Sequence, residues 1–186
     1  TDMCEWNYSF SYQTGDDNTS TQNQTGIWHD AFVYQDGNGN TATQEQTGGD
    51  YFQGNFAVSD QDGDMNTSLQ IQDGLDNTAY ITQDGNMNNA SQGQSGDDNL
   101  ANTTQIGNGN ISAGLQVGDI NESDVLQRGD TNFSLVGQGG VDNYSFIRQR
   151  GNSNVAASGQ LGTGNMSWIR QTGNGNTALT GQVGGL

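Results

Sequence analysis

The sequence of 186 residues contains no proline and no lysine, a single cysteine and few hydrophobic residues. The lone Cys4 excludes an internal disulfide. Only four arginines oppose 21 acidic residues, and this balance argues against nucleic acid as the main partner. Hydrophobic residues make up 30% of the chain, too few for an ordinary apolar core. No apolar run approaches the roughly 20 residues of a membrane helix, so we expect no membrane insertion.

The abundant residues are Gln, Asn, Gly, Ser and Thr, and they recur with a period of 11 residues. Glycine follows each repeat glutamine by two positions, asparagine by five, and alanine or serine by seven. His29 replaces asparagine once, and four extra residues near 48–54 displace it once, to Asn55. The repeat glutamines are Gln13, Gln24, Gln35, Gln46, Gln61, Gln72, Gln83, Gln94, Gln105, Gln116, Gln127, Gln138, Gln149, Gln160, Gln171 and Gln182. The repeat asparagines are Asn7, Asn18, Asn40, Asn55, Asn66, Asn77, Asn88, Asn99, Asn110, Asn121, Asn132, Asn143, Asn154, Asn165 and Asn176.

The repeat predicts strands rather than helices. A period of 11 residues is compatible with a right-handed coiled coil, but a glycine in every unit and frequent Thr and Asn disfavour a helix. With a period of two, Asn, Ala/Ser and Gln face one side, so each unit is a seven-residue strand from Asn to Gln and a four-residue turn. Small polar inward residues favour a solenoid, in which each strand pairs with its equivalent in the next coil and Gln stacks on Gln.

The inward position two residues before each repeat Gln indicates how many strands form a coil. In odd-numbered strands this position is largely β-branched, whereas the first four even-numbered strands have Gln22, Gln44, Gln70 and Gln92 there. The chain is therefore predicted to be an all-β, two-strand-per-coil β-solenoid with about 22 residues per coil, about eight coils and two facing parallel sheets. At about 4.8 Å per coil, the rod is roughly 38 Å long. Residues 1–6 are an N-terminal extension, 7–182 the single solenoid domain, and 183–186 a C-terminal tail.

Aromatic and basic residues concentrate on the outward face of the odd strands. Ten of the fifteen aromatics lie there, near the two ends of the rod. All four arginines share this face, and Asp36, Asp62 and Asp84 precede them along one column. Stacked aromatics and exposed charges can simply be compatible with β structure, or they can mediate lateral association and align neighbours in a staggered bundle. The candidate lateral contacts are Tyr8, Phe10, Tyr12, Phe32, Tyr34, Phe146, Trp168, Arg128, Arg148, Arg150 and Arg170.

Three segments carry a resemblance to a known family: "QDGNGNTATQEQ" at 35–46, "QIGNGNISAGLQ" at 105–116 and "QTGNGNTALTGQ" at 171–182. They resemble the curlin repeat of bacterial curli subunits, and sixteen registered copies span Asn7 to Gly184. The resemblance implies a functional amyloid that is secreted, is present here as the mature form without a signal peptide, and polymerises at the cell surface into biofilm fibres. It also implies a nucleator subunit and an outer-membrane secretion pore as partners.

The two ends of the rod independently favour polymerisation. No capping element is evident, and sixteen strands make eight whole coils, so a second molecule can continue the first. Such a head-to-tail contact does not close and predicts an open filament. Cys4 and Trp6 would lie at each junction, where they either clasp the joint or form a frayed tail. Tyr51 and Phe52, in the insertion near 48–54, belong either to a contact loop or to a tolerated turn insertion.

Other functions have weaker support in the sequence. The Asp-rich turns lack the nine-residue calcium repeat, and their residue types follow no evident rule, so we expect no metal site and no cofactor. Glu122 and Asp124 are an isolated carboxylate pair, and we expect no catalysis. The alternative is a monomeric ice-binding or surface-adhesive solenoid that uses its Thr-rich or aromatic face. The Thr columns of the even strands break down at Leu69, Asn89 and Ile111.

Overall fold

The computed structural model describes residues 6–50 and 53–184. Regular structure in these residues is entirely β-strand, and the predicted all-β class is confirmed. Among the described residues no helix is long and apolar enough to cross a membrane. The sixteen strands are β1 Tyr8–Thr14, β2 Thr19–Gly26, β3 Asp30–Asp36, β4 Thr41–Gly48, β5 Phe56–Asp62, β6 Thr67–Gly74, β7 Thr78–Asp84, β8 Asn89–Ser95, β9 Leu100–Ile106, β10 Ile111–Val117, β11 Glu122–Arg128, β12 Phe133–Val141, β13 Tyr144–Arg150, β14 Val155–Thr163, β15 Met166–Thr172 and β16 Thr177–Gly184.

The strands form two eight-stranded parallel sheets. One sheet orders the odd strands from β1 to β15, and the other orders the even strands from β2 to β16. We call these the odd sheet and the even sheet, and one odd strand plus the following even strand make one coil. Equivalent repeat positions pair in every step, as in Gln83↔Gln105 and Gln94↔Gln116. The predicted two-strand solenoid of eight coils is therefore confirmed.

The strands begin and end later than the sequence predicts. Each begins after the repeat Asn or His, and ends at least one residue beyond the repeat Gln, as β9 does at Leu100 and Ile106. The reason is that Asn99 uses its side chain, rather than a regular strand pairing, to satisfy the turn: its Nδ2 donates to the carbonyl of Gly118 at 2.6 Å. A side chain that bonds turn backbone in this way competes with the sheet ladder and marks the strand boundary.

The glycine two residues after a repeat Gln lies very close to the backbone of the next coil. Gly107 has φ of 116°, and a Cβ added there would lie 2.3 Å from the carbonyl oxygen of Gly129. The position two residues further along also takes a left-handed conformation, which the sequence analysis did not predict. Ile120 has φ of 58° and Thr131 has φ of 55°, conformations that cost β-branched residues roughly 1–2 kcal/mol. The turn geometry is thus imposed on residues that do not favour it.

The interior changes character along the rod. In the first coils of the even sheet, the inward residue two positions before each repeat Gln is itself a Gln. Two of these residues, Gln44 and Gln70, are almost fully buried. In the later coils Val125, Val136 and Ile147 form an apolar cluster with Ala156 and Ile169. The space between the sheets is thus filled by glutamine side chains from the even sheet in the first coils and by apolar side chains from both sheets in the later coils.

The insertion leaves the register unchanged. Gln35 bonds Gln61 across 26 residues, the usual 22-residue step plus the four inserted ones, and β3 still pairs with β5. Asp50 and Gln53 exchange two backbone hydrogen bonds of 2.9 and 3.0 Å, which close the base of the inserted loop. Asp50 and Gln53 thus pair with each other outside the named strands, and the strands on either side keep their register. The predicted contact residues Tyr51 and Phe52 lie outside the described residues, as does Cys4.

Two glycine substitutions test this turn geometry. We expect Gly107→Ala to lower the thermal midpoint strongly, because its Cβ clashes with the Gly129 backbone and its φ is strained. The matched control is Gly159→Ala, at a strand position where an added Cβ meets nothing within 4 Å, and we expect it to be neutral or to stabilise by about 0.5–1 kcal/mol. Thermal unfolding followed by circular dichroism measures both variants, and equal midpoints would contradict this account of the turns.

Candidate functional site: the amide ladders, the ends and the odd face

The repeat glutamines form an unbroken ladder in each sheet. Each Gln Nε2 donates to the Oε1 of the Gln one coil further toward the C-terminus, at 2.8–3.0 Å from Gln35 to Gln171. The ladder from Gln24 to Gln182 has steps of 2.9–3.0 Å. Gln13 begins the odd ladder by donating to Gln35. All of these side-chain bonds point the same way along the rod.

The same glutamines also tie the two sheets together, which the sequence analysis did not predict. The second Nε2 proton of Gln105 reaches across to the backbone carbonyl of Asn89 at 3.0 Å, and that of Gln116 reaches Leu100 at 2.9 Å. Gln105 is completely buried, so these bonds saturate an amide that would otherwise be costly to bury. The ladder therefore holds both the coil spacing and the distance between the sheets.

The repeat asparagines bridge each turn to its neighbours. Asn110 Nδ2 donates to the carbonyl of Gly129 at 2.7 Å, and Asn110 Oδ1 accepts the backbone N–H of Asn132 at 3.0 Å. His29 reproduces both bonds: its Nδ1 accepts the backbone N–H of Asn55 at 3.0 Å, and its Nε2 faces the carbonyls of Thr25 and Gly48. These partners require the neutral tautomer with the proton on Nε2. His29 is thus a hydrogen-bonding substitute for asparagine.

Two further hydrogen-bonded ladders, one inside the even sheet and one in the turns, were not predicted from the sequence. The inward Gln22, Gln44, Gln70 and Gln92 bond one another in sequence, a consequence of the four successive glutamines visible in that column. The interpretation that turn residues follow no rule is wrong for the turns after the odd strands. There the third residue after Gln is always Asn or Asp. Its Oδ1 accepts a hydrogen bond from the backbone N–H of the equivalent residue one coil earlier, as Asn38 does from Asp16. This turn column is Asp16, Asn38, Asp64, Asn86, Asn108, Asp130, Asn152 and Asn174.

The direction of the ladders makes the two ends of the solenoid chemically complementary. At the C-terminal end, Gln171 and Gln182 accept the ladder bond through Oε1, but within the described chain their Nε2 groups donate only across the sheets, so one Nε2 proton of each points outward. At the N-terminal end, Oε1 of Gln13 and of Gln24 accepts no bond from any residue that the structure describes. Trp6 stacks on Trp28, which lies 22 residues further along in the turn between β2 and β3, at 6.2 Å between ring centroids. It therefore lies beside the first coil.

Aromatic side chains stack along the outside of the odd sheet. Tyr8, Phe32, Phe56 and Tyr80 form a zigzag with centroids 5.6–5.7 Å apart. Phe10 packs on Tyr34 beside them, at 5.7 Å. Their tilted geometry is one that aromatic pairs favour. Near the other end, Phe146 and Trp168 form a second cluster at 4.5 Å.

Charges segregate along the same face. The arginines register as Arg128↔Arg150 and Arg148↔Arg170, so the structure brings all four together. The pKa of Arg148 is lowered from its ordinary value, mainly by the charge of Arg150 and then by desolvation and the other two arginines. Its Nε is buried and has no hydrogen-bond partner among the described residues. The acidic residues Asp36, Asp62 and Asp84 register in adjacent coils, in the column that later holds Arg128 and Arg150.

The predicted carboxylate pair of Glu122 and Asp124 lies on this face, on the same strand as Arg128. Both side chains are partly buried on β11. Burial raises the pKa of Asp124 above its ordinary value, and the two carboxylates add to burial in raising the pKa of Tyr144. Asp60 also has a raised pKa, mainly from burial and secondly from Asp62. Burial therefore disfavours the ionised form of each of these three groups, all of which lie on the outward face of the odd sheet.

The chain was compared with known proteins. No protein-family model matches it, and no curated protein matches it. The curlin resemblance of the repeat therefore remains a prediction from the residues quoted above.

Breaking one rung should destabilise the whole solenoid. Gln105→Leu removes bonds to Gln83, Gln127 and Asn89 and leaves buried polar atoms without partners. We expect a loss of about 2–5 kcal/mol in the free energy of unfolding. The matched control is Thr104→Leu, the adjacent outward residue, which should change stability by less than about 0.5 kcal/mol. Urea unfolding measures both, and similar midpoints would refute the structural weight given to the ladder.

The buried carboxylate gives a pH-dependent prediction. Because the folded pKa of Asp124 is raised, the ionised form is penalised at neutral pH, and the penalty disappears once the pH falls below the unfolded value of about 3.9. We expect Asp124→Asn to raise the thermal midpoint at pH 7 and to leave it unchanged at pH 3. An equal gain at both pH values would mean that the effect is not due to ionisation.

Proposed function

We propose that the chain is the structural subunit of a curli-like extracellular functional amyloid fibre, which grows head-to-tail and supports a biofilm matrix and adhesion. It acts without catalysis and without a cofactor. The nucleator subunit and the outer-membrane secretion pore are partners proposed from the resemblance of its repeats to curlin. The growth mechanism is templated addition: an exposed strand edge supplies unpaired backbone groups and ladder ends to the incoming copy.

The complementary ends are the observation that carries this proposal. Outward amide protons of Gln171 and Gln182 at one end match the open Oε1 atoms of Gln13 and Gln24 at the other. The turn column adds a third match: the N–H of Asn174 at one end and the Oδ1 of Asp16 at the other. A second copy placed one coil beyond the first would therefore continue every ladder with bonds of the kind found between internal coils.

The backbone supports the same direction of growth. The first residue of each inner strand donates its N–H to the Asn carbonyl of the next coil, as Val155 does to Asn176 at 2.8 Å. The pattern aims the N–H groups of Met166 and Thr177, which begin the last strand of each sheet, beyond the final coil. They are the donors that an added copy would use.

A monomeric ice-binding or surface-adhesive solenoid remains the alternative proposal. Thr19, Thr41 and Thr67 stack in register on the even sheet, together with Thr21 and Thr43. The first column ends at Asn89, and the second at Leu69. The regular Thr surface thus covers only three coils, whereas the ladders run through all eight.

Proline at the growing end tests the head-to-tail contact. Met166→Pro/Thr177→Pro removes two N–H groups that have no acceptor within the described chain, at first positions of edge strands where proline is tolerated. We expect the double variant to fold, to form no fibres alone, and to stop growth of the unsubstituted chain when added at low ratio, because its intact N-terminal end still binds. Negative-stain electron microscopy and a seeded growth assay measure this.

The matched control is Met166→Ala/Thr177→Ala, which shortens the same side chains and keeps both N–H groups. We expect it to form fibres at the normal rate. Normal fibre growth by the proline variant would rule out this polarity of addition. If the unsubstituted chain stayed monomeric at every concentration, the fibre proposal would be lost, and thermal hysteresis would test the alternative.

A further inference from the structure

Five charged residues of the odd sheet lie in one straight column. We call it the charge column: it holds the residue that follows the ladder Gln in each odd strand. Register pairing places these residues directly above one another. From coil 1 to coil 8 the column is Thr14, Asp36, Asp62, Asp84, Ile106, Arg128, Arg150 and Thr172. Its first half is acidic and its second half is basic, so the column is complementary to its own reversed copy.

Symmetry decides which partner fits this face. When two odd sheets face each other with antiparallel rods, a twofold axis along the strands lays the charge column on itself and brings coil 2 against coil 7, and coil 3 against coil 6. Asp36 then meets the partner's Arg150, and Asp62 meets the partner's Arg128. Both pairs occur twice because the contact is symmetric.

The neighbouring outward column fits the same arrangement. It contains Tyr12 and Tyr34 in coils 1 and 2, and Arg148 and Arg170 in coils 7 and 8. The antiparallel contact places each arginine opposite a tyrosine ring, a cation–π arrangement. Arg148 and Arg170 are themselves in register in adjacent coils, so both cation–π contacts form side by side.

Parallel packing lacks this complementarity. Two odd sheets that face each other with parallel rods are related by an axis along the rod, which lays the charge column against the opposite edge of the sheet, where Tyr8 and Glu122 lie. The acidic and basic stretches then never meet. The parallel contact sets Arg128 against the partner's Glu122. It also sets Asp36 against the partner's Asp30 and leaves Arg150 facing an uncharged ring. The antiparallel contact pairs both arginines of the charge column with carboxylates and opposes no like charges in that column, so electrostatics favours it.

We propose that the odd sheet is a docking surface for a second copy of this chain, packed face to face with its rod axis antiparallel. Seven-residue strands and eight coils give a face of roughly 23 by 38 Å, near the 800 Å² per partner of a standard interface. Exposed rings of Tyr8, Tyr12 and Trp168 supply apolar area, and the charge pairs set the polarity. In a fibre, this contact joins neighbouring filaments that run in opposite directions.

This pairing does not require head-to-tail growth, so the two proposals fail separately. Fibre length reports the contact between ends, and crosslinking on the odd face reports the lateral contact. Ile106 is suited to crosslinking because it lies in coil 5, close to the twofold axis. In the antiparallel pair it faces coil 4 of the second copy and lies one coil from the equivalent residue there.

The test is a thiol crosslinker that spans about 10 Å, the spacing of packed sheets. In a Cys4→Ser background, Ile106→Cys is expected to give covalent dimers. Its single thiol excludes crosslinks within a chain, and a head-to-tail neighbour is eight coils, about 38 Å, away. The matched control is Val117→Cys, at the equivalent position of coil 5 on the even sheet, which should give only background. Equal yields from the two variants would overturn the proposal.

Charge reversal then separates this contact from nonspecific bundling. Adding Arg128→Glu/Arg150→Glu to the Ile106→Cys chain should lower the dimer yield roughly tenfold or more, because like charges then face each other. Adding Asp36→Arg/Asp62→Arg as well restores opposite charges and should restore the yield. Salt at 1 M should weaken the original dimer, since the Debye length falls to about 3 Å. A yield that is insensitive to reversal would contradict antiparallel charge pairing.

Discussion

The fold depends on the buried glutamine amide that bonds both along the rod and across it. A primary amide in a dry interior is stable only when its donors and acceptor are all used. Gln127 accepts from Gln105, donates to Gln149 and donates to the carbonyl of Ile111 in the facing strand. Gln44, in the inward column of the first even strands, meets the same three requirements by bonding Gln22, Gln70 and the carbonyl of Phe32. The amide therefore fixes which residues stack and how far apart the sheets lie.

This requirement explains why the repeat length is so strictly kept. A shift of one residue would turn the Gln column outward and bring an outward residue inside. A shift of one 11-residue unit would move each repeat Gln from its own sheet to the facing sheet. The chain accepts four extra residues between Gln46 and Asn55, where Asp50 and Gln53 pair with each other and β3 still pairs with β5 in register. The strained φ of Ile120 has the same origin, because the turn must close in a fixed number of residues.

The sequence predicts the solenoid well because its constraints are periodic. The Gln and Asn columns, the 22-residue coil and the division into two sheets all follow from spacing and from which residues alternate. Strand limits were less predictable, since Asn99 looks like a strand residue by its inward position but serves the turn. The Asn/Asp column of the odd turns is visible only when alternate turns are compared. The left-handed position at Ile120 has no residue-type signal, because backbone closure decides it.

The outer surface is free of the ladder's demands, and its residues therefore vary along the rod. The repeat Gln and Asn ladders treat nearly every coil alike, so they distinguish one end of a molecule from the other only by bond direction. The charge column of the odd sheet distinguishes the ends by charge, because Asp62 and Arg128 mark opposite halves. On the proposals made above, hydrogen-bond direction would govern growth along the rod, and charge order would govern contact between rods. Since salt screens exposed charges far more than buried hydrogen bonds, ionic strength could then change bundling without changing elongation.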